Sequence, residues 1–467
     1  MLLKKAIPRA SPHNALIYKI MENYSEYPQL EDEALRVWNK NDRGEYMAPN
    51  GKNYPHAWLW DSAFHSIGMR HYDIDRAAIE LYSIFDGQWE NGMLPNIRMY
   101  HPVGDARAEK HMWSSHLLNN DAPKYPATSG ISQPPVVAEA MYSVGQQMSP
   151  EVRNDFWQSL LPSLIKYHEW IYRDRNPRAD GLFAAVHPWE TGMDNSPAVM
   201  EYSRGLAWCS EWALKPLAGL SQHFRRDLHN HLPANERSSH EEGELQAMAL
   251  LSLIRCRYDA KKLKSHHSFH LQDVGTNSLL IRNNYLLQQM AKQSGMSIPN
   301  SLNNNIRTTQ ESLDYLWNED DQMYYSRCAV TGQQIMVPTF ASMLPLLTGQ
   351  VESEREKVLI EKLTDPEKYW SQYGIANVPL DYEGRRDNGY WHEVWMNTNW
   401  LGHKMLQSVG RHEEAELLRA RSLEVVDKNG IYEYFNARTG KGLGVKDFGW
   451  TAMLALDLLH ETGYNKT

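Results

Sequence analysis

Amphipathic helical periodicity recurs along almost the whole of this 467-residue chain, and no flexible Pro/Gly/Ser linker interrupts it. Apolar residues three and four apart mark one helix face at Ala78, Ile79, Tyr82 and Phe85, and again at Phe448, Ala452, Ala455 and Leu459. Similar stripes run through residues 13–24, 29–39, 133–147, 155–173, 241–257, 277–294, 303–317, 353–363, 393–408 and 411–427, often with Asp, Ser, Asn or Pro just before them. That predicts about a dozen helices, and a helix with one apolar stripe must bury it against a partner. Extended pieces are confined to Gly181–His187, Met323–Thr339 and Ile431–Arg438, where Thr331-Gly332 and Thr439-Gly440 signal hairpin-like turns. The polar stretches Arg225–Glu244 and Asp259–Asn277 read as long loops on one side of the helical body, where lids sit. The expected fold is all-α: a single (α/α)6-barrel domain over residues 1–467, six helical hairpins with long loops and short β-hairpins at one end. Periodicity does not separate this from an α-solenoid, but no sequence repeat supports the solenoid.

Charge and motif searches narrow the function. A formal net charge of -9 repels a phosphate backbone or an anionic membrane, so nucleic acid and membrane are not expected partners. The longest apolar stretch, Ala247 to Ile254, falls short of the roughly 20 residues of a membrane span. The first residues, MLLKKAIPRASPHNAL, hold no apolar signal core, and the expected location is the cytoplasm. Cys209, Cys256 and Cys328 are odd in number and far apart, which fits reduced thiols. No GxSxG, HExxH, GxxxxGK[ST] or paired CxxC occurs. Gly440-Lys441-Gly442-Leu443-Gly444 follows no βαβ pattern and reads as a tight loop. His266, His267 and His270 lie in a basic, polar stretch with no carboxylate or cysteine to complete a metal shell, and read as solvated. No cofactor or metal is expected, and a homo-oligomer stays open.

The aromatic balance is unusual, with 16 Trp and 25 Tyr against 9 Phe. Flat rings with polar edges suit a sugar site, where faces stack on C–H bonds and edges meet hydroxyls; a Trp-rich packing core would read the same way. Carboxylates sit among these rings in four segments: 54–64 with Asp61, 187–197 with Glu190 and Asp194, 390–400 with Glu393, and 431–436 with Glu433. Splitting a glycosidic bond needs one protonated carboxyl and one carboxylate. Among 57 Asp and Glu, composition does not pick the pair, and each taken singly reads as a helix cap or a solvated charge.

The segments YPHAWLWDSAF, GQWENGMLPNI, TSGISQPP, HPWETGMDNSP, YWHEVWMNTNW and YEYFNARTG, in that order, resemble family 63 glycoside hydrolases, and most of all the compact mannosylglycerate and glucosylglycerate hydrolases. The likeness runs from about Tyr54 to Leu459. It implies the (α/α)6 barrel and an inverting α-glycoside hydrolase that takes glucose or mannose from a small glycoside. By the same likeness Asp194 is the general acid, Glu433 the general base, and Asp61 grips sugar hydroxyls. Tyr54, Trp58, Trp189 and Gly192 match positions lining the sugar pocket, and Gln133, Tyr390, Trp391 and Arg226 match positions facing the aglycone. An inverting pair would stand roughly 6.5–9.5 Å apart. The chain departs from the family at His392-Glu393, where YWRGPVW is common, at Pro95-Asn96-Ile97, where PHI is common, and at Ala198-Val199-Met200 after DNSP. A hydrolase of neutral α-glucosides, trehalose-like disaccharides included, is the competing reading, followed by a sugar epimerase on the same barrel and a non-catalytic sugar-binding relic.

Overall fold

Every residue of the Leu59–Met69 helix is buried. A helix with no exposed face has to be surrounded. In the computed structural model, which describes residues 27–100, 112–206, 239–383 and 392–461, it is one member of a closed inner ring. Leu59–Met69 packs on Val137–Gly145, that on Val274–Gln293, and that on the 3-10 helix Phe340–Thr348. Met396–Ser408 and Gly449–His460 follow, and the last closes on the first. Outside the ring, Ile74–Asp86, Pro150–Asp174, Asn300–Ser312, Ser353–Leu363 and His412–Asn429 each fold back on the inner helix that precedes them. The sixth outer place is taken by Pro28–Asn41, which packs on Gly449–His460 and so joins the two ends of the described chain. This is an (α/α)6 barrel.

Local sequence sets these turns. Asp73, Ser149 and Asp273 each accept a backbone N–H from the first turn of the helix they precede, satisfying a donor that the helix itself leaves free. At the closing seam Gly68 meets the Met453 backbone so closely that a Cβ there would lie 2.1 Å from the Met453 carbonyl oxygen.

Short strands gather where inner helices begin. Ala57–Trp58, Leu271–Gln272 and Glu393–Trp395 run directly, or after one residue, into inner helices. Ala57–Trp58 pairs with Ile97–Met99, which pairs with Ala127–Thr128. Glu393–Trp395 pairs with Tyr432–Asn436, which pairs with Gly442–Lys446, just before Gly449–His460. The motif-bearing residues therefore collect at one end of the barrel.

Several sequence expectations are corrected. The stretch 259–277 is no loop: Ala260–His266 is helical, Leu271–Gln272 is a strand and Val274 opens an inner helix. Its polar residues are caps and buried donors; Asp259 accepts the Lys262 N–H, and Asn277 brackets the Phe183 backbone. His267 and His270 are buried, not solvated. Of the stretch 225–244, residues 239–244 open the His240–Arg255 helix and the rest lies outside the described residues. The 393–408 stripe divides into a strand and a helix, and Gly442–Gly444 is strand rather than loop. Residues 13–24 and Cys209 lie outside the described residues. Among the described residues no helix is long and apolar enough to cross a membrane.

Candidate active site

Ring contacts run unbroken across the strand-bearing end. Trp113 touches Trp189, Trp189 touches Trp58, and Trp58 meets Tyr54 edge-on at 5.9 Å between centroids. Tyr54 meets Phe448, Phe448 meets Trp450, and Trp450 meets Trp395, which stacks on Tyr434 at 4.4 Å. Tyr54, Trp58, Trp189 and Trp395 are only partly buried, as suits rings offered to a ligand.

Asp194 follows the Pro188–Thr191 turn, which Glu190 anchors from beneath. The buried Glu190 carboxylate takes Arg175 from three nitrogen–oxygen contacts of 3.0–3.2 Å and also accepts the Ser132 and Val186 N–H groups. Gly192, at φ 70°, passes against Trp60 and Pro134, where a Cβ would come within 2.6 Å of the indole. Ser196 then caps Pro197–Gly205. Burial pushes the Asp194 carboxyl up to about 6, against the opposing pull of its own backbone N–H and of the Gln246 amide. It therefore keeps its proton to higher pH than an ordinary aspartate does.

Glu433 joins the same run of rings through Tyr54. Its Oε1 accepts the Tyr54 hydroxyl at 3.3 Å and its Oε2 the Val445 N–H at 3.1 Å. The second bond depends on a bulge between Tyr432 and Tyr434, where Gly444 adopts φ 69°. A Cβ on Gly444 would lie 2.7 Å from Glu433 Oε2, so the glycine makes the seat of the carboxylate. Burial, with the charge of Glu433 adding to it, holds the Asp61 carboxyl well above its ordinary range. Glu393, buried and taking the Trp395 indole N–H at 2.7 Å, is likewise held far up by burial, with Glu433 and Glu242 adding.

Tyr54, Trp58, Asp61, Trp189, Gly192, Asp194 and Glu433 are brought together. Gln133 lies beside them with its Oε1 bound to the Trp60 N–H, fixing the first turn of Leu59–Met69. Arg226, Tyr390 and Trp391 lie outside the described residues. Sequence reading missed Gln246, whose Nε2 contacts both Asp194 and Glu242, and the seat at Gly444. Gln246 carries no local signal; Gly444 stood in the glycine-rich run read as a loop. Among the described residues no group of three or more His, Cys, Asp or Glu is placed to hold a metal.

A mannosylglycerate hydrolase of Thermus thermophilus is 33% identical over 432 residues, 91% of this chain and 99% of its own. A glucosylglycerate hydrolase of Mycolicibacterium hassiacum is 28% identical over 460 residues, 92% of this chain and 98% of its own. The crystal structure of the family 63 mannosylglycerate hydrolase of Thermus thermophilus in complex with Tris and D-glycerate superposes with a TM-score of 0.81 at 31% identity, covering 92% of this chain and 99% of that one. Residues 54–451 match the mannosylglycerate hydrolase MGH1-like glycoside hydrolase domain, the span that holds both candidate carboxyls and the rings between them. The chain is a glycoside hydrolase and belongs to this MGH1-like family.

Proposed function

We propose that the protein is an inverting α-glycoside hydrolase that releases glucose or mannose from a glycerate glycoside, with Asp194 as general acid and Glu433 as general base. The observation that carries the reading is the unequal pair: one carboxyl raised to about 6 by burial, and one held by two donors, Tyr54 of the ring chain among them. Two carboxyls in contrasting surroundings are what acid and base roles require. Asp61 and the rings hold the sugar. Asp194 gives its proton to the glycosidic oxygen as the C–O bond breaks, while Glu433 takes a proton from water attacking the opposite face. Gln133, Tyr390, Trp391 and Arg226 are assigned to the aglycone, and the relatives named for mannosylglycerate and glucosylglycerate support a glycerate there.

One continuous hydrophobic cluster from Leu30 to Leu458 supports reading the chain as a single catalytic domain. Cys256 and Cys328 are not joined in a disulfide, in keeping with a cytoplasmic location. A hydrolase of neutral α-glucosides is the competing reading. Sugar release from mannosylglycerate, glucosylglycerate, trehalose, kojibiose and nigerose, each assayed with and without EDTA, decides between them. Turnover of a glycerate glycoside, unaffected by EDTA, is expected; turnover confined to the neutral disaccharides would replace the substrate assignment.

A further inference from the structure

We propose that Gln246 is a positioning residue that decides which oxygen of Asp194 carries the acidic hydrogen, placing it on Oδ1. The inference rests on the reading of Asp194 as general acid. A carboxylic acid has two oxygens and donates only from the protonated one, so an acid free to place its proton on either is aimed correctly only part of the time. Gln246 Nε2 lies 3.3 Å from Asp194 Oδ2 and 3.1 Å from Glu242 Oε1. An amide nitrogen has two hydrogens, and here each has a carboxyl oxygen to meet. Oδ2 is thereby fixed as an acceptor, and the hydrogen is left for Oδ1.

The amide is itself anchored. Glu242 stands one turn before Gln246 on the His240–Arg255 helix and is buried. The Gln246 carbonyl faces His187 Nε2 at 3.2 Å, while His187 Nδ1 receives the Trp189 N–H. With Nδ1 an acceptor, Nε2 carries the proton and donates to Gln246. Burial holds His187 down to about 4, so this link stays neutral and intact through the working range. Residue 246 thus ties the Asp194 loop to the facing helix through both main chain and side chain. Of the other charged groups on the packed elements, Glu190 pairs with Arg175, Arg204 with Glu241 across the two helices, and His240 faces Glu244.

The test compares a glycerate glycoside, whose leaving oxygen needs a proton, with the α-glycosyl fluoride of the same sugar, whose leaving group needs far less help. Gln246→Met and Gln246→Glu should lower kcat on the glycoside by about 10–100-fold and on the fluoride by no more than about 3-fold. Both remove a donor that favours the ionised carboxyl, so the alkaline limb of kcat/KM should move to higher pH. Equal losses on both substrates with an unmoved limb would overturn the proposal and leave Gln246 a structural residue. Should the Met variant fail to fold, the Glu variant, matched in size and polarity, gives the same reading. Asp194→Asn, run alongside, separates the premise from the inference: a selective loss on the glycoside upholds the acid, and an equal loss on both substrates removes it whatever Gln246 does.

Discussion

A carboxyl raised from its ordinary 3.8 to about 6 is useful to an acid catalyst and a burden to the fold. Between those values the folded chain binds a proton that the unfolded chain has released, so this contribution to stability is fully present below about pH 4 and is lost as pH rises through 6. Asp194→Asn should therefore raise stability at pH 7.5 by roughly 1–3 kcal/mol and change little at pH 4, while removing most of the turnover. Urea unfolding at the two pH values measures it; a variant less stable than the parent at pH 7.5 contradicts the assigned shift. In the parent, kcat/KM should fall above about pH 6 as the same group ionises. The proposed pair, Asp194 and Glu433, is read from the ordered motifs around it, not from charge or spacing. Gln246 was not, because its part depends on which helix faces the Asp194 loop, and no local pattern in GELQAMALL encodes that.

At the scale of the element, legibility followed exposure. Outer helices such as Ile74–Asp86 present one apolar face and announced themselves by period, with boundaries close to those expected. Leu59–Met69 is buried on every side, its polar Asp61, Ser62, His65 and Ser66 included, and Phe340–Thr348 is a 3-10 helix carrying Pro345; neither was read as a stripe, and both are inner members of the barrel. Strands of two to five residues were mostly too short for alternation to register, the exceptions being Met323–Tyr324, Arg327–Cys328 and the Tyr432–Asn436 hairpin, which fall in pieces that turn residues frame. That hairpin supplies a direct prediction. Gly444→Ala places a methyl on the Glu433 carboxylate and forces a left-handed backbone at a cost of about 1–2 kcal/mol. It should reduce kcat by about 10-fold or more while the far-ultraviolet circular dichroism stays that of the parent; undiminished kcat would mean the bulge does not seat the base.

Across the whole molecule, barrel closure depends on the last inner helix meeting the first. Gly449–His460 is buried along nearly its full length between Leu59–Met69 and Pro28–Asn41. Gly68 sets the first of these approaches, since a side chain there meets Met453 main chain rather than a flexible tip. Gly68→Val should cost about 3 kcal/mol or more, read as a lower urea midpoint, whereas Gly295→Val, at an open surface turn, should lose only what its left-handed backbone imposes. Equal losses would show that the seam is slack. Closure also brings Tyr54 to Glu433 and Trp60 to Trp450, pairing the first inner hairpin with the last to complete the site.

The central claim, that Asp194 and Glu433 act from opposite faces of an α-glycosidic bond, is tested most directly by the anomer first released. Proton magnetic resonance, followed from the first minute of hydrolysis of glucosylglycerate or mannosylglycerate and before mutarotation, distinguishes the two. The β-anomer should appear first and the α-anomer only as it equilibrates. Initial release of the α-anomer would contradict the account, because it would require a covalent intermediate on one of the two carboxyls.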